Sequence, residues 1–357
     1  MRNLTSQVYE WLDQGHITRA QVDELYRHVC TPPSAASWRS LIAQLLQWAG
    51  ALSLATGIIF FFAYNWQSLN RISKFALIEV ALLLSLVCFV WLYYRGSSQQ
   101  QSSASHSMFG ATLANVALLV ASILIGGLLA LVGQTYQTGA DPWQLFALWA
   151  LAIIPLAWVA GFDGLWLLLL GLVNLSLGLF ADTSSYLLDE RDQIWLFIFV
   201  VLNLTFYYAF VFLGSLPSKR WHAPLMQYVS SLAAMGCFTL LICWMIFDTV
   251  DNKKFIFGIW AVYLIHLIFG FWWFRYRLLQ VYPLALGGFS LIAVGAALLT
   301  ELLYKDSDPI GGFLLIGLYI ILASTGLSSM LRRLHRQFKS EVAASEMSAI
   351  NEQGAAS

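Results

Sequence analysis

Ionisable and amide side chains inside long apolar runs are the residues of this chain that could do chemistry. His266 stands near the middle of one run, and Glu79 stands four residues inside another. Such groups are costly in hydrocarbon and mark a binding site or an ion pathway by default. An imidazole can relay a proton or hold a ligand. A carboxylate can take a proton or a cation, so Glu79 and His266 are the candidates for proton coupling. Each also has a plainer reading. No second His or carboxylate lies at metal-ligand spacing from His266, which favours a hydrogen-bonded packing role. Glu79 has Arg71 and Lys74 on its own side of the membrane and could pair with them or reach toward water. Asn115, Asn174 and Asn203 also lie in apolar runs. Amides there commonly bridge helices.

A second group stands where two runs end. One run closes with Phe62-Ala63-Tyr64-Asn65-Trp66. Another closes with Gly133-Gln134-Thr135-Tyr136-Gln137-Thr138-Gly139-Ala140-Asp141-Pro142. Gly133 and Gly139 permit tight turns, and Asp141-Pro142 favours turn initiation. Asn65, Gln134, Tyr136 and Gln137 supply neutral donors and acceptors, while Tyr64 and Trp66 supply stacking faces. That chemistry suits a sugar, a peptide-like group or a lipid headgroup better than a bare ion. Asn65, Trp66, Gln134, Tyr136 and Asp141 are therefore the candidate ligand-binding residues. The alternative is that they only satisfy one another and cap helix ends.

Several chemistries have no residues to carry them. No nucleophile elbow, phosphate-cradling Gly-Lys-Ser/Thr loop or His-Glu-x-x-His pair is present. Two intramembrane carboxylates facing each other, as an aspartyl protease needs, are absent as well. Cys30, Cys88, Cys237 and Cys243 form no C-x-x-C pair. The expectation leans away from an enzyme without excluding one, and includes no metal and no cofactor.

The elements that must position these residues are membrane helices. The 357 residues are 59% hydrophobic and 11% charged, against roughly 25% charge in a soluble domain. Lys plus Arg and Asp plus Glu both number 19, so no overall basic field points to nucleic acid. Runs of about 20 apolar residues mark membrane spans. Ten fit: 42–64, 75–94, 108–132, 144–161, 164–181, 194–214, 225–247, 255–274, 278–300 and 310–330. The fourth and fifth, split only by Gly161-Phe162-Asp163-Gly164, could instead form a re-entrant hairpin. Gly287-Gly288 and Gly295 in the ninth span, with Gly311-Gly312 and Gly317 in the tenth, suggest close packing of that pair.

Residues 1–40 read as a cytoplasmic helical hairpin. Its first helix carries Leu4, Val8, Trp11 and Leu12, and Gly15 stops it. Thr18 and Gln21 open the second helix as a capping box, and Pro32-Pro33 ends it. Its only bases, Arg19 and Arg27, make a DNA-reading motif a poor fit. Residues 41–331 form the bundle, and 332–357 a basic, then polar, largely disordered cytoplasmic tail. An even number of spans puts both termini on one side. That side holds most of the Lys and Arg, including Arg275, Arg277, Arg332, Arg333 and Arg336, so it is cytoplasmic. The polar stretches around Asn65 and Gln134 then face outward.

Three stretches carry a family resemblance. They are Trp11…Gly15-His16-Ile17-Thr18, then Phe61-Phe62-Ala63-Tyr64-Asn65-Trp66, then Gly133-Gln134-Thr135-Tyr136-Gln137 followed by Leu145-Phe146-Ala147-Leu148-Trp149-Ala150-Leu151. Over residues 4 to 160 the chain resembles the bacterial predicted membrane proteins of domain of unknown function 2157. The resemblance implies a multi-span protein of a bacterial inner membrane and a membrane-anchored protein partner. It implies no particular activity. The expected fold is an all-α, polytopic membrane bundle of about ten helices. The first functional expectation is a carrier or binder of a polar or amphipathic molecule at the periplasmic face. The second is a non-transporting assembly protein that holds a membrane-anchored partner. An integral-membrane enzyme on a lipid-linked substrate comes third.

Overall fold

The computed structural model describes residues 69–97, 113–184, 192–214, 223–247, 253–304 and 309–355, with scattered helical positions between 38 and 64. Residues 1–37 of the expected hairpin and Asn65 and Trp66 lie outside the described residues, as does about half of the first expected span. The described residues form helices and turns: α1 Arg71–Ser97, α2 Leu113–Tyr136, α3 Pro142–Ala160, α4 Asp163–Ser184, α5 Asp192–Gly214, α6 Pro224–Phe247, α7 Lys253–Tyr276, α8 Val281–Tyr304 and α9 Pro309–Ala355. Among the described residues, nine helices are long and apolar enough to cross a membrane. The chain is an all-α, multi-pass membrane protein.

It divides into two compact units, Met1–Gly127 and Leu128–Ser357, with the boundary inside α2. In the first unit, α1 begins four residues before the expected span. Asn70 explains the early start: its Oδ1 accepts the Ser73 backbone N–H at 2.7 Å, an N-cap that satisfies one orphan donor of the first turn. Gly127 of α2 leaves room for Ile78, whose Cδ1 would stand 3.0 Å from a Cβ at that position.

In the second unit, α3 and α4 form a helical hairpin with a two-residue turn. Gly161 closes α3 in the left-handed region at φ 58 and donates its N–H to the Ala157 carbonyl at 3.0 Å. Only glycine takes that conformation without a steric cost. Nineteen residues at 1.5 Å each make α3 about 28 Å long, close to the roughly 30 Å hydrocarbon thickness. Across the far end of this hairpin, Ser176 Oγ donates to the Trp143 carbonyl at 2.9 Å. The Leu225 N–H donates to Asp163 Oδ2 at 3.2 Å. The Asp163 carboxylate thus sits at the positive N-terminal end of α6. Helix α6 then packs on α4, α5, α7 and α8, so it is the central helix of this unit.

Helices α8 and α9 pack closely, as their glycines suggest. A Cβ at Gly288 would collide with Leu327, and one at Gly295 with the Tyr319 hydroxyl. Helix α9 runs unbroken to Ala355, where the composition predicts a largely disordered tail. Beyond Lys339 the segment has no proline and is rich in Ala, Ser and Glu. Ala and Glu are good helix formers, and the helix they extend is already nucleated in the bundle.

Candidate ligand site

Helices α5 to α9 enclose a cavity of about 270 Å³ within the second unit. Leu204 and Tyr207 of α5 line it, with Ser231 and Met235 of α6. Helix α7 contributes His266, Leu267, Gly270, Phe271 and Phe274. Pro283, Leu284, Leu286, Gly287, Gly288 and Leu291 of α8 form a third wall. Leu327, Met330, Leu331 and Leu334 of α9 complete it. The packing of glycines makes this space. On the α8 wall, Gly287 lets Leu267 and Met235 approach, while Gly288 admits Leu327.

His266 is the polar residue that matters most here. Its Nδ1 faces the Tyr208 hydroxyl at a long 3.5 Å, and its ring lies edge-on to Tyr208 and tilted against Phe238. With Nδ1 accepting from Tyr208, Nε2 carries the ring proton. Nε2 has no hydrogen-bond partner among the described residues and belongs to a side chain that lines the cavity. Tyr207, 4% exposed, also lines it, and its hydroxyl is buried without a partner among the described residues. Ser231 is occupied, donating to the Tyr228 carbonyl at 3.0 Å. Among the described residues, none that lines the cavity is an Asp, Glu, Lys or Arg.

Two satisfied polar clusters flank this space. Ser290 Oγ lies 2.7 Å from both Thr239 Oγ1 and Tyr263 Oη, tying α6, α7 and α8 together. Thr239 also bonds back to the Met235 carbonyl at 2.7 Å. Asn174 and Asn203 exchange amide hydrogen bonds at 2.8 and 3.3 Å, and each donates to the carbonyl four residues back. The amide bridge expected of such residues is therefore present between α4 and α5. Both clusters spend their donors on one another, which is the inexpensive way to hold polar groups in hydrocarbon.

At one end of the bundle the wall of the cavity meets charge. Tyr207, Phe274, Leu284, Leu334 and Phe338 form one apolar cluster. The Arg275 guanidinium lies 5.1 Å over the Phe338 ring and 5.3 Å over the Tyr276 ring. Its Nη2 donates to Gln337 Oε1 at 3.0 Å. Leu279, in the turn that follows, holds φ 51, with its side chain packed on the same cluster.

The other sequence candidates stand elsewhere. Gln134 and Tyr136 stand in the last turn of α2 and Asp141 directly before α3, and all three are exposed. Gln137 and Gly139 take positive φ between the two helices, at 44 and 66. The Thr138 N–H reaches the Gly133 carbonyl at 3.4 Å, and the Gln144 N–H reaches the Asp141 carbonyl at 3.0 Å. Asp141 is the N-cap of α3 by position, but its side chain makes no capping bond. Beyond Asp141, Trp143, Phe180 and Trp195 meet edge to face in sequence, at 5.0 and 5.6 Å. Glu79 is exposed on α1, in the first unit. Among the described residues, no group of three His, Cys, Asp or Glu could hold a metal ion.

Tyr207 and Ser231 line the cavity beside His266 and Tyr208 faces the imidazole from outside it, and charge and amide patterns do not single them out. The signal available was a Tyr pair in mid-span together with the Gly287-Gly288 pair. Neither is specific until the helices are placed.

A bundle of apolar helices with an internal cavity and tied-off polar pairs defines a polytopic α-helical membrane protein. Residues 9–166 match the family described as "Predicted membrane protein (DUF2157)", and over that stretch the chain is similar to its members. No curated protein and no solved structure matches the chain. The cavity-lining residues, from Leu204 onward, all lie outside the family match.

Proposed function

We propose that this protein binds an amphipathic small molecule inside the second unit, as a carrier or a binder in a bacterial inner membrane. The observation that carries the reading is the cavity itself, apolar on every wall yet lined by the His266 imidazole. Ligand sites are mostly apolar concavities with a few placed polar groups, and this space has that make-up. In this reading His266 contacts ligand rather than relaying protons alone. Glu79 remains a coupling candidate. The bias of basic residues supports cytoplasmic termini.

A second reading rests on the outer turn. Gln134, Tyr136 and Asp141 stand exposed on either side of a backbone turn shaped by two positive φ angles, next to an aromatic row suited to a membrane interface. That supports docking of a membrane-anchored protein partner there, with Asn65 and Trp66 as further candidates. The turn also falls within the family match.

Native mass spectrometry of protein extracted gently from its own membrane separates the two. The first reading expects a bound small mass that Leu284→Trp and the milder Leu291→Trp both lose, because each fills the cavity. Gln134→Ala/Tyr136→Ala should keep that mass. The reverse pattern, or a co-purified protein lost only with the outer-turn changes, would overturn the cavity reading.

A further inference from the structure

The chemistry of the cavity wall narrows the class of ligand, and this inference rests on the reading that the cavity is a ligand site. We propose that the cavity takes a neutral, carbonyl-bearing ring, the headgroup class of a membrane quinone, with a carbonyl oxygen accepting from His266 Nε2–H.

Charge is the first argument. Among the described residues, no Asp, Glu, Lys or Arg lines the cavity. An ionised headgroup inside would lose its hydration with no counter-charge to replace it, which costs several kcal/mol or more. Arg275 is stacked on Phe338 and bonded to Gln337 and is not a lining residue. A neutral headgroup meets no such penalty.

The polar inventory is the second argument. In the tautomer in which Nδ1 accepts from Tyr208, His266 Nε2 offers a donor, and that nitrogen has no protein partner among the described residues. The Tyr207 hydroxyl is buried without a partner beside the same space. Donors in an apolar wall call for an acceptor on the ligand, and a carbonyl oxygen is a strong acceptor that carries no charge.

Size and shape are the third. A dry cavity of about 150 Å³ holds benzene, and drug-sized pockets begin at about 300 Å³. At about 270 Å³ this space holds one substituted ring. Tyr207, Phe271 and Phe274 supply aromatic surface for offset or edge contacts with a ring. An apolar tail would continue between helices toward the bilayer.

The test uses the full chain in a neutral maltoside detergent, with equilibrium binding read by native mass spectrometry. The probes are a decyl-tailed benzoquinone, decylbenzene and laurate. The benzoquinone should bind one per chain and more tightly than decylbenzene. His266→Phe should weaken it by about three- to tenfold, the span of one net hydrogen bond, and leave decylbenzene unchanged. His266→Gln, which retains a donor and guards against a folding defect in the Phe variant, should restore most of the affinity. Equal binding of benzoquinone and decylbenzene would overturn the proposal, as would indifference to His266→Phe. Displacement of the benzoquinone by laurate in a manner lost with Arg275→Gln would also overturn it and make the headgroup anionic. If Leu284→Trp and Leu291→Trp leave all probes bound, the cavity reading fails and not only the ligand class.

Discussion

At the turn between α2 and α3, amide, phenol and carboxylate groups crowd the two ends of a short exposed loop. Between α5 and α9, a few polar atoms are scattered through an apolar wall. The outer turn looks the more chemical of the two in one dimension, because its polar residues are adjacent in the chain. Its side chains nonetheless face outward, where water already satisfies them. The inner cavity draws its polar atoms from separate helices: Tyr207 from α5, His266 from α7. A donor there has no water to fall back on, so each one constrains what can occupy the space. Polar residues are cheap at a loop and costly in a bundle, and the costly ones tell more about a ligand. The two regions also divide along the family match, which covers the outer turn and stops before the cavity. If the turn carries what family members share, the cavity carries what this chain adds.

Several substitutions break or sharpen this contrast. The largest effect is expected at the cavity's α8 wall. Gly288→Ala drives a Cβ into Leu327, and overpacking of this kind costs about 1–3 kcal/mol. Thermal or SDS-induced unfolding in detergent should show the loss, and Leu327→Ala in the same chain should recover much of it. Absence of rescue would mean that the α8–α9 contact is not what Gly288 permits.

A smaller loss is expected from Asn203→Ala. The change leaves the Asn174 amide without its interhelical partner, and such bonds within membranes average about 0.6 kcal/mol with a maximum near 1.7. The double change Asn174→Leu/Asn203→Leu should be less harmful than the sum of the single changes, because it removes both halves of the pair. Additive losses would argue against the bridge.

The smallest effect is expected at the outer turn. Gln134→Ala and Tyr136→Ala should each shift unfolding by no more than about 0.5 kcal/mol, the usual range for exposed positions. A large shift would mean that these side chains are structural, and it would remove the ground for reading the turn as a docking surface.

Much of the architecture was legible in the sequence. Membrane helices are set by length and hydropathy because hydrocarbon leaves the backbone no partner but itself. Asn70 caps α1, which starts four residues before the expected span, and α9 runs on past its span to Ala355. Close packing of α8 and α9 was readable from Gly288 and Gly295, which meet Leu327 and Tyr319, whereas Gly287 faces α6 and α7 and a Cβ at Gly311 or Gly317 would meet nothing within 4 Å. The amide bridge was readable from Asn174 and Asn203, for which membrane burial demands a partner. His266 was legible as a residue of interest, but its neighbours were not. Tyr208, Tyr207 and Ser231 lie some 35 to 59 positions away along the chain, and periodicity within one helix says nothing about which face of another it meets.

Composition and hydropathy by themselves determined that this is a multi-pass helical membrane protein, which of its polar residues lie within spans, and where its turns fall. These are local properties of the chain and its solvent. Only the tertiary structure decided that Asn174 meets Asn203 and that Ser290 joins Thr239 and Tyr263. It alone showed that space remains beside His266. A cavity is what several helices fail to fill together, so it has no counterpart in any one stretch of sequence.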